Sequence, residues 1–193
     1  MDGIKSTDLV IFEGSNALFI EVVAKRFNYI TNLQRLDAKA IAKDIESMIY
    51  EKVKQLDRNI ADFRTGALSY DGIDSSSIKS VYPVVATVVP VPQFVGLPRI
   101  VTKEIADREY LADVEALQFL AAEDLEMLVP AFSAGQSLST ILAEKIADQL
   151  WCSQSMRNYV VVRRPELLQY LEAKNPRWGR VLEVVRSWAL NVF

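Results

Sequence analysis

Asp8 and Glu21 are the two residues whose type and spacing could do chemistry in this chain. Asp8 opens a short apolar, partly β-branched run that ends at Glu13, Gly14-Ser15-Asn16 has the composition of a turn, and Glu21 sits inside a second apolar run from Ala17 to Ala24. Two extended runs around a tight turn form a β-hairpin. Paired strands lie about 4.8 Å apart and their side chains alternate between faces, so a hairpin of this register can set both carboxylates on one side. Convergent carboxylates make a hard-oxygen site suited to magnesium or manganese, where the metal orients a water and neutralises charge on a phosphate. Glu21 is the more telling of the pair, because a carboxylate in an apolar run is costly to bury alone. It must face solvent, a metal, or a cation, for which Lys25 and Arg26 are the nearest candidates. Asp8 by itself is more often a strand-start or turn residue than a ligand.

Composition narrows the chemistry. None of the 193 residues is histidine, which removes Ser-His-Asp and Cys-His mechanisms, histidine-ligated zinc and histidine-base nucleases. A general base must therefore be a carboxylate, a lysine or water activated by a metal. The 22 Lys and Arg against 25 Asp and Glu give a weakly acidic field, so a polyanion would need a local basic face, and the pairs Lys25-Arg26 and Arg163-Arg164 ordinarily sit on solvated surfaces. Cys152, beside Trp151, is the sole cysteine; it cannot form an intramolecular disulfide and reads as a small buried hydrophobe. Met1 to Ser6 lacks a basic-then-apolar signal and no apolar run approaches the roughly 20 residues of a membrane span, so the expected compartment is the cytoplasm, with no membrane partner.

The surrounding pattern says what must position the carboxylates. From about Asp37 to Phe63, Ile41, Ile45, Met48, Ile49, Val53, Leu56, Ile60 and Phe63 recur at three and four, one face of a long amphipathic helix. Gly66 to Ser77 reads as a loop, and Tyr82 to Val89 as a buried strand ending at Pro90. A strand, a long helix and another strand make a crossover unit, so the third strand is expected parallel to the second. Pro90, Pro92 and Pro98 mark an irregular stretch, Val114 to Leu120 a short final strand, and helices are expected near Glu123–Phe132 and Leu138–Leu150, the latter capped by Ser137. Glu123, Asp124 and Glu126 suit a helix first turn. From Met156 onward two helix-like segments are divided by Lys174-Asn175-Pro176, and Trp178, Val181, Leu182, Val185, Trp188 and Ala189 repeat at helical spacing as a core or docking face. The expected organisation is an α/β core over residues 1–135, with a mixed sheet of hairpin and parallel strand, and a helical C-terminal extension over 136–193.

The segment TDLVIFEGSNALFIEVVAKRF resembles the acidic hairpin of the PD-(D/E)xK nuclease-like superfamily, in which an acid, a short hairpin, a second acid, any residue and a lysine precede a helix and a further strand. Asp8 matches the first acid and Glu21 the second; the lysine position is Val23, and Lys25, two residues along the same strand face and about 6.6 Å away, is the nearest replacement. KVKQLDRNI is similar to the family's following helix, where a glutamine often faces the metal; Gln55 would be that residue. VYPVVATVVPVP resembles the next core strand, and the similarity runs over roughly residues 5 to 150. The resemblance implies a restriction-endonuclease-like core, a magnesium or manganese site at Asp8 and Glu21 with Lys25 and Gln55 in support, and hydrolysis of DNA or RNA phosphodiesters. With valine in the lysine position, it also fits an inactive nuclease-like domain serving as a binding or assembly module. Only seven residues precede Asp8 where the family has a helix and a strand, which implies a shortened form, a strand supplied by another chain, or an open sheet edge that would favour a homodimer or a larger-protein partner.

Overall fold

Continuous apolar runs on either side of a glycine turn produce the first structural unit of the chain. A computed structural model describes residues 7–24, 38–88 and 97–168; Lys25, Arg26, Pro90, Pro92 and the helical repeat from Trp178 to Ala189 lie outside them. The chain divides into two compact units, Met1–Ala121 and Ala122–Phe193.

In the first unit, β1 (Leu9–Glu13) and β2 (Asn16–Val23) form the expected antiparallel hairpin, with Leu9 opposite Ile20 and Glu13 opposite Asn16. Gly14 has φ of 62°, a backbone conformation that costs glycine nothing, and as the first central residue of a two-residue turn it suits the twist of the flanking strands. β3 (Ser80–Thr87) runs parallel to β2, and β4 (Gln118–Ala121) parallel to β3, in a four-stranded sheet of order β1-β2-β3-β4. The fold is thus α/β with a mixed sheet. Pro83 is tolerated in an inner strand because the β3–β4 ladder begins only at Val84, leaving β2 as its one strand neighbour. The final strand starts four residues later than the apolar run from Val114 suggests. Glu109, Leu111 and Asp113 all take positive φ just before it, and the Glu115 N–H turns back to the Val81 carbonyl at 3.0 Å, so extended geometry is reached only at Gln118.

The long helix forms in three pieces: α1 (Ala38–Ile45), a π-helical turn (Glu46–Tyr50) and α2 (Glu51–Arg64). In the wide turn the Glu51 N–H reaches back to the Glu46 carbonyl. Met48, Ile49 and Tyr50 are all buried there, a broader apolar front than the stripe spacing alone would present. Arg108, just beyond α3 (Leu97–Asp107), holds Glu46 through two 2.9 Å hydrogen bonds and places its guanidinium 4.5 Å from the centre of the Tyr50 ring. One face of the sheet, carrying Ala17, Phe19, Val23, Val81 and Val85, packs with Val53, Leu56, Ile60 and Phe63 of α2. Phe12, Phe19, Phe63 and Tyr70 form an aromatic group with ring centres 5.4 to 6.5 Å apart. Leu18 on the opposite face of β2 is as fully buried as Phe19, so this strand is covered on both sides along its middle, as its continuous apolar run predicts.

The second unit holds α4 (Ala122–Ser133), α5 (Leu138–Ala147) and α6 (Met156–Arg163). Glu123 and Asp124 fall in the first turn of α4, where acids complement the helix dipole. Ser137 caps α5, its hydroxyl accepting from the Thr140 N–H at 3.2 Å. Ser137→Ala is expected to lower the stability of this unit by about 1 kcal/mol in urea unfolding, because a first-turn donor loses its partner. The helix ends three residues earlier than expected: Asp148 leaves helical geometry at φ −86°, ψ 105°, and its carboxylate accepts from the Leu150 N–H and from Arg163. Cys152 is half-buried and donates its thiol to the Gln149 carbonyl at 3.4 Å, a capping contact in place of the buried role expected of it. Among the described residues no helix is long and apolar enough to cross a membrane.

Candidate acidic site on the hairpin

The register that pairs Leu9 with Ile20 carries one step further to put Asp8 opposite Glu21. The hairpin therefore brings together the two carboxylates that the sequence singles out. Asp8 is fastened by its own hairpin: its Oδ2 accepts from the Val22 N–H at 2.8 Å. That hydrogen bond, aided by the charge of Lys52, holds its carboxyl below the ordinary aspartate range against a smaller opposing effect of burial.

Glu21 shares the face of β2 that packs against α2, and its side chain is fully buried. Its Oε2 accepts from Lys52 Nζ at 2.7 Å, and Oε1 is buried without a hydrogen-bond partner. Burial raises the Glu21 pKa above its ordinary value, with the nearby Asp8 charge acting in the same direction and Lys52 only partly offsetting it. The two carboxyl groups lie within hydrogen-bonding reach of each other whenever one carries a proton.

Lys52, in the first turn of α2, is the cation that meets both acids among the described residues. Its ammonium lies 2.7 Å from Glu21 and 3.5 Å from Asp8, and a quarter of its side chain is exposed to solvent. Burial pulls the ammonium pKa down, but the hydrogen bond it donates to Glu21 and the charges of both acids outweigh it and hold it above the ordinary lysine value. The cost of burial thus falls on Glu21, which has no access to water. Sequence reasoning looked to Lys25 or Arg26 for the partner of Glu21; both lie outside the described residues, and among the described residues Lys52 pairs with it. A signal was present: Lys52, Gln55 and Asn59 recur at three and four along one edge of the apolar stripe through Val53, Leu56 and Ile60.

The rest of that edge continues the polar seam. Gln55 is half-buried and lies on the same side of α2 as Lys52, three residues on. Asn59 is fully buried and donates to the Thr7 hydroxyl at 2.9 Å, which ties the residue before Asp8 to the helix. Val23 is 5 % exposed and belongs to the core beneath the helix, so the position that the motif assigns to lysine is filled by packing. Thr87, opposite Val23 on β3, is buried, and its hydroxyl has no hydrogen-bond partner.

The donor set fits a hard divalent cation of the magnesium class, which uses one or two carboxylates, keeps several waters and takes the remaining oxygens from a substrate. The unpartnered buried oxygen of Glu21 supports that fit, since a buried carboxylate oxygen without a donor is otherwise destabilising. Among the described residues there is no group of three or more His, Cys, Asp or Glu side chains that could hold an ion unaided. Arg163 and Arg164 are engaged within the second unit, Arg163 by Asp148 and Arg164 by Glu144 and Glu166, and offer no unneutralised basic pair. No family model, no curated protein and no solved structure matches the chain.

Proposed function

We propose that this chain is a nuclease-related domain of the PD-(D/E)xK type, with a restriction-endonuclease-like sheet, acting on DNA or RNA phosphodiesters through Asp8, Glu21 and Lys52. The observation that carries the reading is the joining of the hairpin acids by a lysine from the following helix, while valine occupies the motif position on the strand. A bound magnesium or manganese ion would supply Lewis acidity toward the phosphate and an oriented water. Asp8 and Glu21 would hold it, the first in a geometry fixed by the Val22 N–H and the second from a buried position that excludes bulk water. Lys52 combines a long flexible stem with access to solvent, so its ammonium can meet a phosphate oxygen and stabilise the charge that develops there. Gln55 would assist from the next turn of the helix.

Manganese titration by calorimetry of the parent and of Asp8→Asn, followed by cleavage assays on single- and double-stranded DNA and RNA, tests this reading. Asp8→Asn is expected to weaken manganese binding about tenfold, because one anionic ligand becomes neutral in a half-exposed position where water can substitute. A parent that binds no manganese and cuts no substrate would move the weight to the second reading, an inactive nuclease-like domain serving as an assembly module. The core position of Val23 favours that alternative. In either case β1 ends the sheet order with its outer edge unpaired by any described strand, and that edge would serve for pairing with a second copy or a larger protein.

A further inference from the structure

We propose that Lys52 is the built-in counter-ion of the Asp8–Glu21 pair and that a divalent cation reaches the two carboxylates only by displacing it. The proposal deepens the reading of this site as a metal-dependent one and rests on it. The ammonium lies 2.7 Å from Glu21 Oε2 and 3.5 Å from Asp8 Oδ2, so it occupies the position that a cation shared by those same two oxygens would take. Two positive ions cannot hold it together.

The three side chains differ in which of them can yield. Glu21 is fully buried on an inner strand. Asp8 is pinned by a 2.8 Å hydrogen bond from the Val22 backbone. Lys52 alone combines a four-carbon stem with a side chain one-quarter exposed, so its head can swing into water at little cost. Two carboxylates against one ammonium leave a net negative charge, which attracts a dication, while the ammonium weakens that attraction for as long as it stays. The buried, unpartnered Oε1 of Glu21 marks what one ammonium leaves unsatisfied: Lys52 reaches Oε2, and no donor among the described residues reaches Oε1. Displacement would also leave the ammonium at the solvent side of the pair, where a phosphate must approach.

The test compares the parent chain with Lys52→Met and Lys52→Gln by manganese calorimetry and by thermal unfolding with and without manganese. Both variants are expected to bind manganese about tenfold more tightly than the parent, and their unfolding midpoints to rise more on manganese addition. Equal or weaker binding by the variants, with the parent still binding, overturns the competition while the metal reading stands. Absence of binding in all three proteins overturns both. Should the variants fail to fold, amine-reactive labelling of Lys52 in the parent, read by peptide mass spectrometry, decides: labelling should increase with manganese as the ammonium is released, and labelling that stays constant while calorimetry shows binding sinks the proposal.

Discussion

Glu21→Gln is expected to lower manganese binding and any phosphodiester cleavage by about 10²- to 10³-fold, the scale of losing one strong electrostatic contact to the reacting centre, while raising the stability of the fold. The two effects have one cause. Burial raises the Glu21 pKa, so the ionised form that a metal needs is the form that folding disfavours, even with Lys52 alongside. The carboxamide keeps an oxygen for the Lys52 ammonium and brings a donor that Asp8 can accept from. The sign of the pH dependence follows. The native state holds a proton on Glu21 at a pH where the unfolded chain, near its ordinary value of 4.5, has begun to lose it. The contribution of Glu21 to stability is therefore greatest at low pH and falls as pH rises from 4.5 through the raised native value. Asp8 has the opposite sign, its contribution being present above its ordinary value of 3.8 and lost as pH falls through its lowered native value. Urea unfolding of parent and Glu21→Gln from pH 4 to 7, beside calorimetry at pH 7, checks both effects: the variant should gain on the parent as pH rises. A variant that is less stable than the parent throughout would mean that the Lys52 ion pair outweighs the cost of burial.

The second large effect lies in the other compact unit. Lys145 is 2 % exposed and donates to the Cys152 carbonyl at 3.0 Å; burial lowers its pKa to about 8, with Cys152 and the buried Asp124 acting in the opposite sense. Between about pH 8 and 10.5 the unfolded chain holds more protons at this position than the native one, so stability rises with pH across that window. At about 1.4 kcal/mol per pH unit, the gap amounts to about 3 kcal/mol, all of it present as a cost below pH 8. Tyr50, Tyr70, Tyr82 and Tyr159 have raised pKa values through burial, so their opposing contribution begins only near pH 10. Trp151 is buried in the unit that begins at Ala122, and no tryptophan precedes it in the sequence, so tryptophan fluorescence reads the unfolding of this unit. The urea midpoint should climb between pH 8 and 9.5 in the parent and stay level in Lys145→Met. A level parent would show that Lys145 keeps its ordinary proton affinity.

Local pattern made much of the first unit legible. The hairpin follows from two apolar runs flanking Gly14, and the parallel β3 follows from a crossover that a long helix must span. Asp8 and Glu21 were legible together because both their separation and their facing are set within one hairpin, where register and side-chain alternation are short-range properties. The break in the long helix was less so: the stripe from Ile41 to Phe63 keeps helical spacing through the π turn, and only packing around Met48, Ile49 and Tyr50, with Arg108 clamping Glu46, selects the wider turn. The late start of β4 depended on three left-handed residues that carry no glycine signal.

By itself, the sequence determined the absence of histidine chemistry, the hairpin and the pair of acids it presents, because these are set by composition and by contacts between near neighbours in the chain. Tertiary structure decided which cation answers those acids. Lys52 is 31 residues from Glu21, and their meeting depends on how α2 lies across the sheet: the burial of Val53, Leu56, Ile60 and Phe63 against Phe19 and Val23 turns the Lys52 edge of the helix toward the carboxylates. The same packing fills the motif position with Val23. Lys25, near Glu21 along the strand, lies outside the described residues; the Lys52 ion pair forms where docking of the core brings opposite charges together, and that docking is set by apolar burial over the whole helix face.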